Sequence, residues 1–208
     1  MKEELIKIFD KARNPIGIAS RDDVHKNGYW HETFQCWFIQ KDNNKDYIYF
    51  QIRSDEKKDY PSLLDITAAG HILADETIED GVREIEEELG VAVSIEDMHS
   101  VGIIEACIIS DHIIDREYAH VFVYELKEGE PVFELQKEEV AGIVRAEFKD
   151  FYQFCLGEIE EIKVNGFTID ASGKETAVEK RVTKQDFVPH PETYWMEIVK
   201  GIDGMFRK

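Results

Sequence analysis

The sequence predicts an α+β fold, a helix–sheet–helix sandwich built on a mixed β-sheet. Three observations predict it. Most of the chain breaks into short runs rich in β-branched and aromatic residues, separated by turn signals. Helical signals are few and fall between the strand-like runs. A length of 208 residues with 43% apolar content fills one core and favours one domain.

The elements follow in chain order. Leu5–Phe9 and Ile16–Ala19 are two short strands around the turn signal Arg13-Asn14-Pro15. Ser20 caps a short helix that runs to about His25 and stops at Gly28. His31–Ile39 and Tyr47–Ile52 are strands, with KDNNKD as a polar hairpin loop between them. Ser62–Ala69 leads into Gly70, and a helix is expected from about Thr77 to Leu89, ended by Gly90. Val101–Ile109, Tyr118–Leu126 and Gly142–Phe148 are further strands, and Lys149–Cys155 is a short helix. Thr168–Val182 is polar, a loop or hairpin, and the longer segment Asn165–His190 is expected to form a hairpin or a lid near the cleft that bears on substrate choice. Glu192–Phe206 closes the chain as an amphipathic helix, weakened by Gly201 and Gly204. Its aromatic-bearing part, Tyr194–Phe206, either packs on the sheet or makes a homodimer interface. The whole chain, 1–208, reads as one domain, with a strand pair in about 1–27 and an extension in about 150–208.

Composition excludes several function classes. The chain holds 44 acidic and 25 basic residues, a net charge of −19. Phosphate backbones repel such a chain, and it lacks the basic face that an anionic membrane attracts, so neither nucleic acid nor membrane is an expected partner. A small phosphorylated ligand stays compatible, because a bound cation reverses the local field. Cys36, Cys107 and Cys155 are odd in number, widely spaced and without a CxxC, as expected of reduced thiols in a cytoplasmic protein. The opening MKEELIKIFDKARN lacks the apolar core of a secretory signal, and no run approaches the ~18 apolar residues of a membrane span.

Chemistry concentrates in residues 70–91, GHILADETIEDGVREIEEELGV. On a helix, Glu84, Glu87 and Glu88 stand at i, i+3 and i+4 and share one face. Like charges at that spacing repel by a few tenths of a kcal/mol per pair, and a bridging cation removes the penalty. Oxygen-only ligands suit Mg²⁺ or Mn²⁺. Arg83 is placed to pair with Glu87, while Ile78, Val82, Ile85 and Leu89 recur on the core side. Taken alone, the acidic run also fits a solvated surface face.

The segment resembles the Nudix box: Gly, five residues, Glu, seven residues, then Arg-Glu-apolar-any-Glu-Glu-any-Gly-apolar. Gly70, Glu76, Arg83, Glu84, Ile85, Glu87, Glu88, Gly90 and Val91 fill its fixed positions. Between Glu76 and Arg83 there are six residues, TIEDGV, where the pattern has seven, which leaves the role of Glu76 open to Asp75. The resemblance implies a Nudix-like α/β/α sandwich and metal-dependent cleavage of a small-molecule diphosphate. It implies Glu84, Glu87 and Glu88 as metal ligands, with Arg83 orienting them, Gly70 permitting a tight strand-to-loop turn, and Glu87 or another carboxylate taking a proton.

Over about residues 20–125 the chain is most similar to the Nudix branch that includes isopentenyl-diphosphate isomerase. HETFQCWF with His31, His25 just before it, AAGH with His71, and DREYAHVF with Asp115 and Glu117 carry the similarity. These five residues would form a second metal shell or a water-binding site. His31 and His71 are expected to contact substrate, and Glu117 to act in catalysis. Asp115 is expected in a loop, and Tyr29, Trp30 and Trp37 either stack a ring or fill the core. The isomerase has a cysteine two residues before its equivalent of His71; here that residue is Ala69. An isomerase-like fold with hydrolase chemistry is therefore expected. Isomerisation and ligand sensing without turnover are the alternatives.

Overall fold

In the computed structural model of the chain, residues 4–42, 44–110, 113–127, 133–170 and 172–207 are described. The elements are β1 (Leu5–Phe9), β2 (Pro15–Ser20), α1 (Arg21–Asn27), β3 (Trp30–Asp42), β4 (Lys45–Arg53), β5 (Leu64–Asp65), β6 (Ala68–His71), α2 (Arg83–Leu89), β7 (Met98–Ile109), β8 (Ile114–Glu125), β9 (Val140–Glu147), α3 (Phe148–Cys155), β10 (Glu161–Ile169), β11 (Glu175–Thr183) and α4 (Glu192–Phe206).

Alternation along the two central strands sets the architecture. In β3, Phe34, Cys36 and Phe38 enter one apolar cluster and Trp37 and Ile39 the other. In β4, Ile48, Phe50 and Ile52 join Trp37 while Tyr49 joins Phe38. A strand with apolar residues on both faces must be covered on both. Ile85 and Leu89 of α2 cover one face. Phe148, Phe151 and Phe154 of α3 and Tyr194, Ile198, Val199 and Ile202 of α4 cover the other. The result is a mixed sheet between helical layers. Its main path runs β11-β10-β9-β4-β3-β1-β2. β8 lies parallel along β3, β7 antiparallel to β8, β6 on β3 and β5 on β4.

Two expectations change, at the KDNNKD loop and at the helix from Thr77. The KDNNKD loop shrinks, because β3 runs on to Asp42, β4 starts at Lys45, and these two are paired. Asn44 takes a left-handed φ of 62° that closes the turn. As expected, Thr168–Val182 lies in a hairpin, the antiparallel pair of β10 and β11, and the end of the same segment reaches the cavity described below through Val188 and His190. The helix expected from Thr77 is a 3₁₀ turn over Glu79–Val82 followed by α2 from Arg83. A 3₁₀ turn rises ~2.0 Å per residue against ~1.5 Å in an α-helix, so it spans the approach to the glutamates with one residue fewer. The apolar face of α4 packs on the sheet, one of the two alternatives expected for it. Gly201 permits this, since a Cβ there would meet Val101 Cγ1 at 2.8 Å.

Candidate active site

Strand register gathers the polar residues at one end of the sheet. His31 of β3 pairs in parallel register with Glu117 of β8, and His71 of β6 pairs with Thr33. Gly28 ends α1 at φ 64° and packs so close to β8 that a Cβ would come 2.5 Å from Ile114 Cγ2. That contact sets His25 beside Asp115. The expectation of a loop at Asp115 fails, because β8 begins at Ile114 and holds Asp115, half-buried with its Oδ1 turned inward, at the edge of the histidine cluster.

The imidazoles converge. The centroids of His25, His31 and His71 lie 5.1–5.4 Å apart. The His31 Nδ1–H donates to the Tyr29 carbonyl at 3.1 Å, which turns Nε2 inward. Asp115 Oδ1 stands 3.5 Å from His31 Nε2 and 3.6 Å from His25 Nε2. All three atoms are buried without a hydrogen-bond partner among the described residues. Donor atoms of His25, His31 and His71, and of His31, Asp115 and Glu117, form two groups within 4.8 Å. Burial pushes the His31 imidazole down to about 4 and lowers His25 and His71 as well. Burial also raises the carboxyls of Asp115 and Glu117. Glu117 Oε2 accepts from Gln35 Nε2 at 3.0 Å, and Gln35 Oε1 accepts from the Tyr194 hydroxyl at 2.6 Å.

The acidic helix lines the same cavity. Arg83 organises it. Its Nε and Nη2 hold both oxygens of Glu76 at 2.6 and 3.1 Å, and its Nη1 reaches Glu84 at 2.5 Å and Glu87 at 3.2 Å. Glu76 also accepts from the Leu73 N–H at 2.8 Å, so the shortened segment keeps Glu76, not Asp75, as the partner of Arg83. Gly70 acts differently from expectation. Its φ is not left-handed; instead a Cβ would overlap the Glu84 carboxyl, so the glycine makes room for that side chain. Glu84 is largely buried, and burial lifts its carboxyl to about 7. Glu88 is buried, accepts from the Ala69 N–H at 3.3 Å and from Gln51 Nε2 at 3.4 Å, and is raised well above the ordinary range. Glu87 is 56% exposed and faces solvent.

No motif or spacing marks the cavity's other cations. Arg21 lines it from the start of α1, and Arg53 and Lys57 from the end of β4 and the turn that follows. Arg53 is clamped by Asp65 at 2.8 Å and by the carbonyls of Asp59 and Tyr60. The C-terminal extension reaches the cavity through Val188 and His190. Tyr29 and Trp30 lie outside the cavity lining, and Trp37 is core.

Residues 21–161 match the NUDIX domain family. The chain belongs to that family. It is 36% identical over 202 residues to an uncharacterized Nudix hydrolase of Clostridium acetobutylicum, covering 97% of this chain and 98% of that one. It is 29% identical over 136 residues to isopentenyl-diphosphate Delta-isomerase 2 of Photorhabdus laumondii, covering 65% and 73%. The Nudix fold is also similar to the crystal structure of a Deinococcus radiodurans protein, with a TM-score of 0.53, 16% identity, and coverage of 74% and 90%. Among the described residues of this Nudix protein, no helix is long and apolar enough to cross a membrane.

Proposed function

We propose that this Nudix protein is a hydrolase that uses a divalent metal, Mg²⁺ or Mn²⁺, to cleave the diphosphate bond of a nucleoside diphosphate derivative or similar small molecule. One observation carries the reading: Glu84, Glu87 and Glu88 line one wall of the cavity as an oxygen-only donor set, with Arg83 orienting Glu84 and Glu87 and Gly70 leaving room for Glu84. Beside it, His25 Nε2, His31 Nε2 and Asp115 Oδ1 are buried, adjacent and without hydrogen-bond partners among the described residues, a second donor set for a cation that both readings share.

A divalent cation held by Glu84, Glu87 and Glu88, or by His25, His31, His71, Asp115 and Glu117, would neutralise phosphate charge and act as a Lewis acid. The protein's own residues do the rest. Arg83 fixes the directions of Glu76, Glu84 and Glu87. Arg21, Arg53 and Lys57 face the diphosphate from the cavity wall. Glu87, solvated at the mouth, takes the proton of the attacking water. Glu117, aimed by Gln35, is the second carboxylate of the site. His31 and His71, expected as substrate contacts, serve as cation donors on this reading.

Isopentenyl-diphosphate isomerisation is a second reading, favoured by the grouping of His25, His31, His71, Asp115 and Glu117. Ala69 opposes it. The residue lines the cavity where the resembled isomerases carry a cysteine, and it has no proton to give.

The test is a product screen by mass spectrometry. Protein with Mg²⁺ or Mn²⁺ is incubated with nucleoside di- and triphosphates, nucleotide sugars, dinucleotides and prenyl diphosphates. The hydrolase reading expects a diphosphate cleaved by wild type and spared by Glu88→Gln. Formation of dimethylallyl from isopentenyl diphosphate supports the isomerase instead. Tight binding without product across the panel refutes both.

A further inference from the structure

Helix α4 lies outside residues 21–161, which match the family, yet one of its side chains reaches the polar end of the sheet. Strand alternation makes that reach possible. His31, Thr33 and Gln35 alternate along β3 and share a face with Trp37 and Ile39, the face that α4 covers. Glu117 shares its face of β8 with Ala119, Val121 and Val123, which belong to the same apolar cluster. A residue of α4 that points into this cluster meets the site from behind.

Tyr194 does so. It is fully buried, its ring stacks on His190 with centroids 4.6 Å apart, and it meets Trp195 edge-on at 5.6 Å. Its hydroxyl donates to Gln35 Oε1 at 2.6 Å, and Gln35 Nε2 donates to Glu117 Oε2 at 3.0 Å. A glutamine amide presents an acceptor on one side and a donor on the other, and turning it over exchanges them. With Nε2 toward Glu117, a charge-assisted bond holds the ionised carboxylate; turned over, the amide oxygen faces that carboxylate and repels it. With Glu117 ionised, as a cation ligand must be, only the first orientation satisfies all three groups, and it requires a donor on Gln35 Oε1. Gln35 is 2% exposed, so the Tyr194 hydroxyl rather than bulk water supplies that donor.

We propose that Tyr194 is a positioning residue for the cation donors His31, Asp115 and Glu117: through the Gln35 amide it fixes the direction in which the Glu117 carboxylate meets a cation. The inference rests on the reading of those three residues as a donor set. Tyr194 itself does not line the cavity, so it acts through Gln35, which does. Partners that orient a metal ligand in this way are worth about 10–100-fold in metal affinity or activity. On this account the C-terminal extension completes the site from the side opposite the glutamate helix, which explains why a core helix carries a hydroxyl where phenylalanine would pack as well.

Mn²⁺ binding to the metal-free full chain, measured by calorimetry and by the electron paramagnetic resonance of unbound Mn²⁺, tests this without a substrate. Glu117→Gln identifies the binding event that depends on Glu117. Tyr194→Phe removes the hydroxyl and keeps the ring, and Gln35→Met keeps the side-chain length and removes the amide. Melting temperatures verify that the variants fold. We expect Tyr194→Phe to weaken the Glu117-dependent event about tenfold or more. Gln35→Met should weaken it at least as much, and adding Tyr194→Phe to Gln35→Met should weaken it no further, because the hydroxyl then has no amide to orient. A hydroxyl of structural value alone would shift the melting temperature and leave the Mn²⁺ affinity where it was. Equal affinity of wild type and Tyr194→Phe overturns the proposal, and so does a double variant whose loss is the product of the two single losses. Mn²⁺ binding that Glu88→Gln abolishes and Glu117→Gln leaves intact overturns it too, while the hydrolase reading stands. The expected Mn²⁺ pattern beside a silent product screen would uphold the role of Tyr194 and refute the hydrolase reading.

Discussion

Glu88 shows how one side chain separates function from stability. It is buried against Gln51 and the Ala69 N–H, and burial makes its charged form costly. Glutamine has the same shape and no charge to desolvate. Metal-free Glu88→Gln should therefore melt at or above the wild-type temperature, while its turnover falls by roughly a thousandfold or more. Calorimetry and the product screen check the two parts, and a variant as active as wild type would remove Glu88 from the site. Gly70 gives the opposite pattern. A methyl group there displaces the Glu84 carboxyl, so Gly70→Ala should cost about 1–3 kcal/mol as an overpacked contact and also weaken Mg²⁺ binding. Retention of both in Gly70→Ala would mean that Glu84 is free to move away without consequence.

Among the elements, α4 carries two glycines that the sequence treats alike and the structure does not. A Cβ at Gly201 would meet Val101 of β7 at 2.8 Å, whereas a Cβ at Gly204 would meet nothing within 4 Å. Gly201→Ala should destabilise by about 1–3 kcal/mol, and Gly204→Ala should stabilise by about 0.5–1 kcal/mol through lower unfolded-state entropy. Chemical denaturation of the two variants reads the signs, and equal signs would refute the packing account. The contrast also marks where sequence reading stops. The glutamate face of α2, the caps Ser20 and Gly28, and the strand over His31–Ile39 were legible because they depend on local composition and spacing. The role of Glu76 was not, because a 3₁₀ turn that shortens the approach leaves no compositional mark. Nor were Arg21, the neighbouring Arg53 and Lys57, and His190, which reach the cavity from three separate segments. Asp115 read as a loop because the apolar strand signal begins only at Tyr118, yet pairing with β7 and β3 makes that stretch a strand.

Taken as a whole, the molecule encloses ionisable groups whose charged forms burial opposes, and this couples pH to metal. Glu84 titrates near 7 instead of its usual 4.5, with Glu88, Glu117 and Asp115 raised too. A raised carboxyl contributes stability below the unfolded value, and loses it as pH climbs through the folded value. His31 behaves in reverse: lowered from 6.5 to about 4, it contributes above 6.5 and loses that contribution as pH falls through 4. Between 4.5 and 6.5 the two trends oppose each other. Above 6.5 the histidine contribution is complete and the carboxyl contribution is still being lost. The melting temperature of metal-free protein should therefore fall from about pH 6.5 to about pH 8. Divalent metal selects deprotonated ligands, so the rise in melting temperature on adding Mg²⁺ or Mn²⁺ should be larger near pH 8 than near pH 6, and a chelator should reverse it. A scanning-fluorimetry series across that range, with and without metal, is the measurement. A metal-induced rise of the same size at both ends would show that the buried carboxyls are not the groups that take the cation.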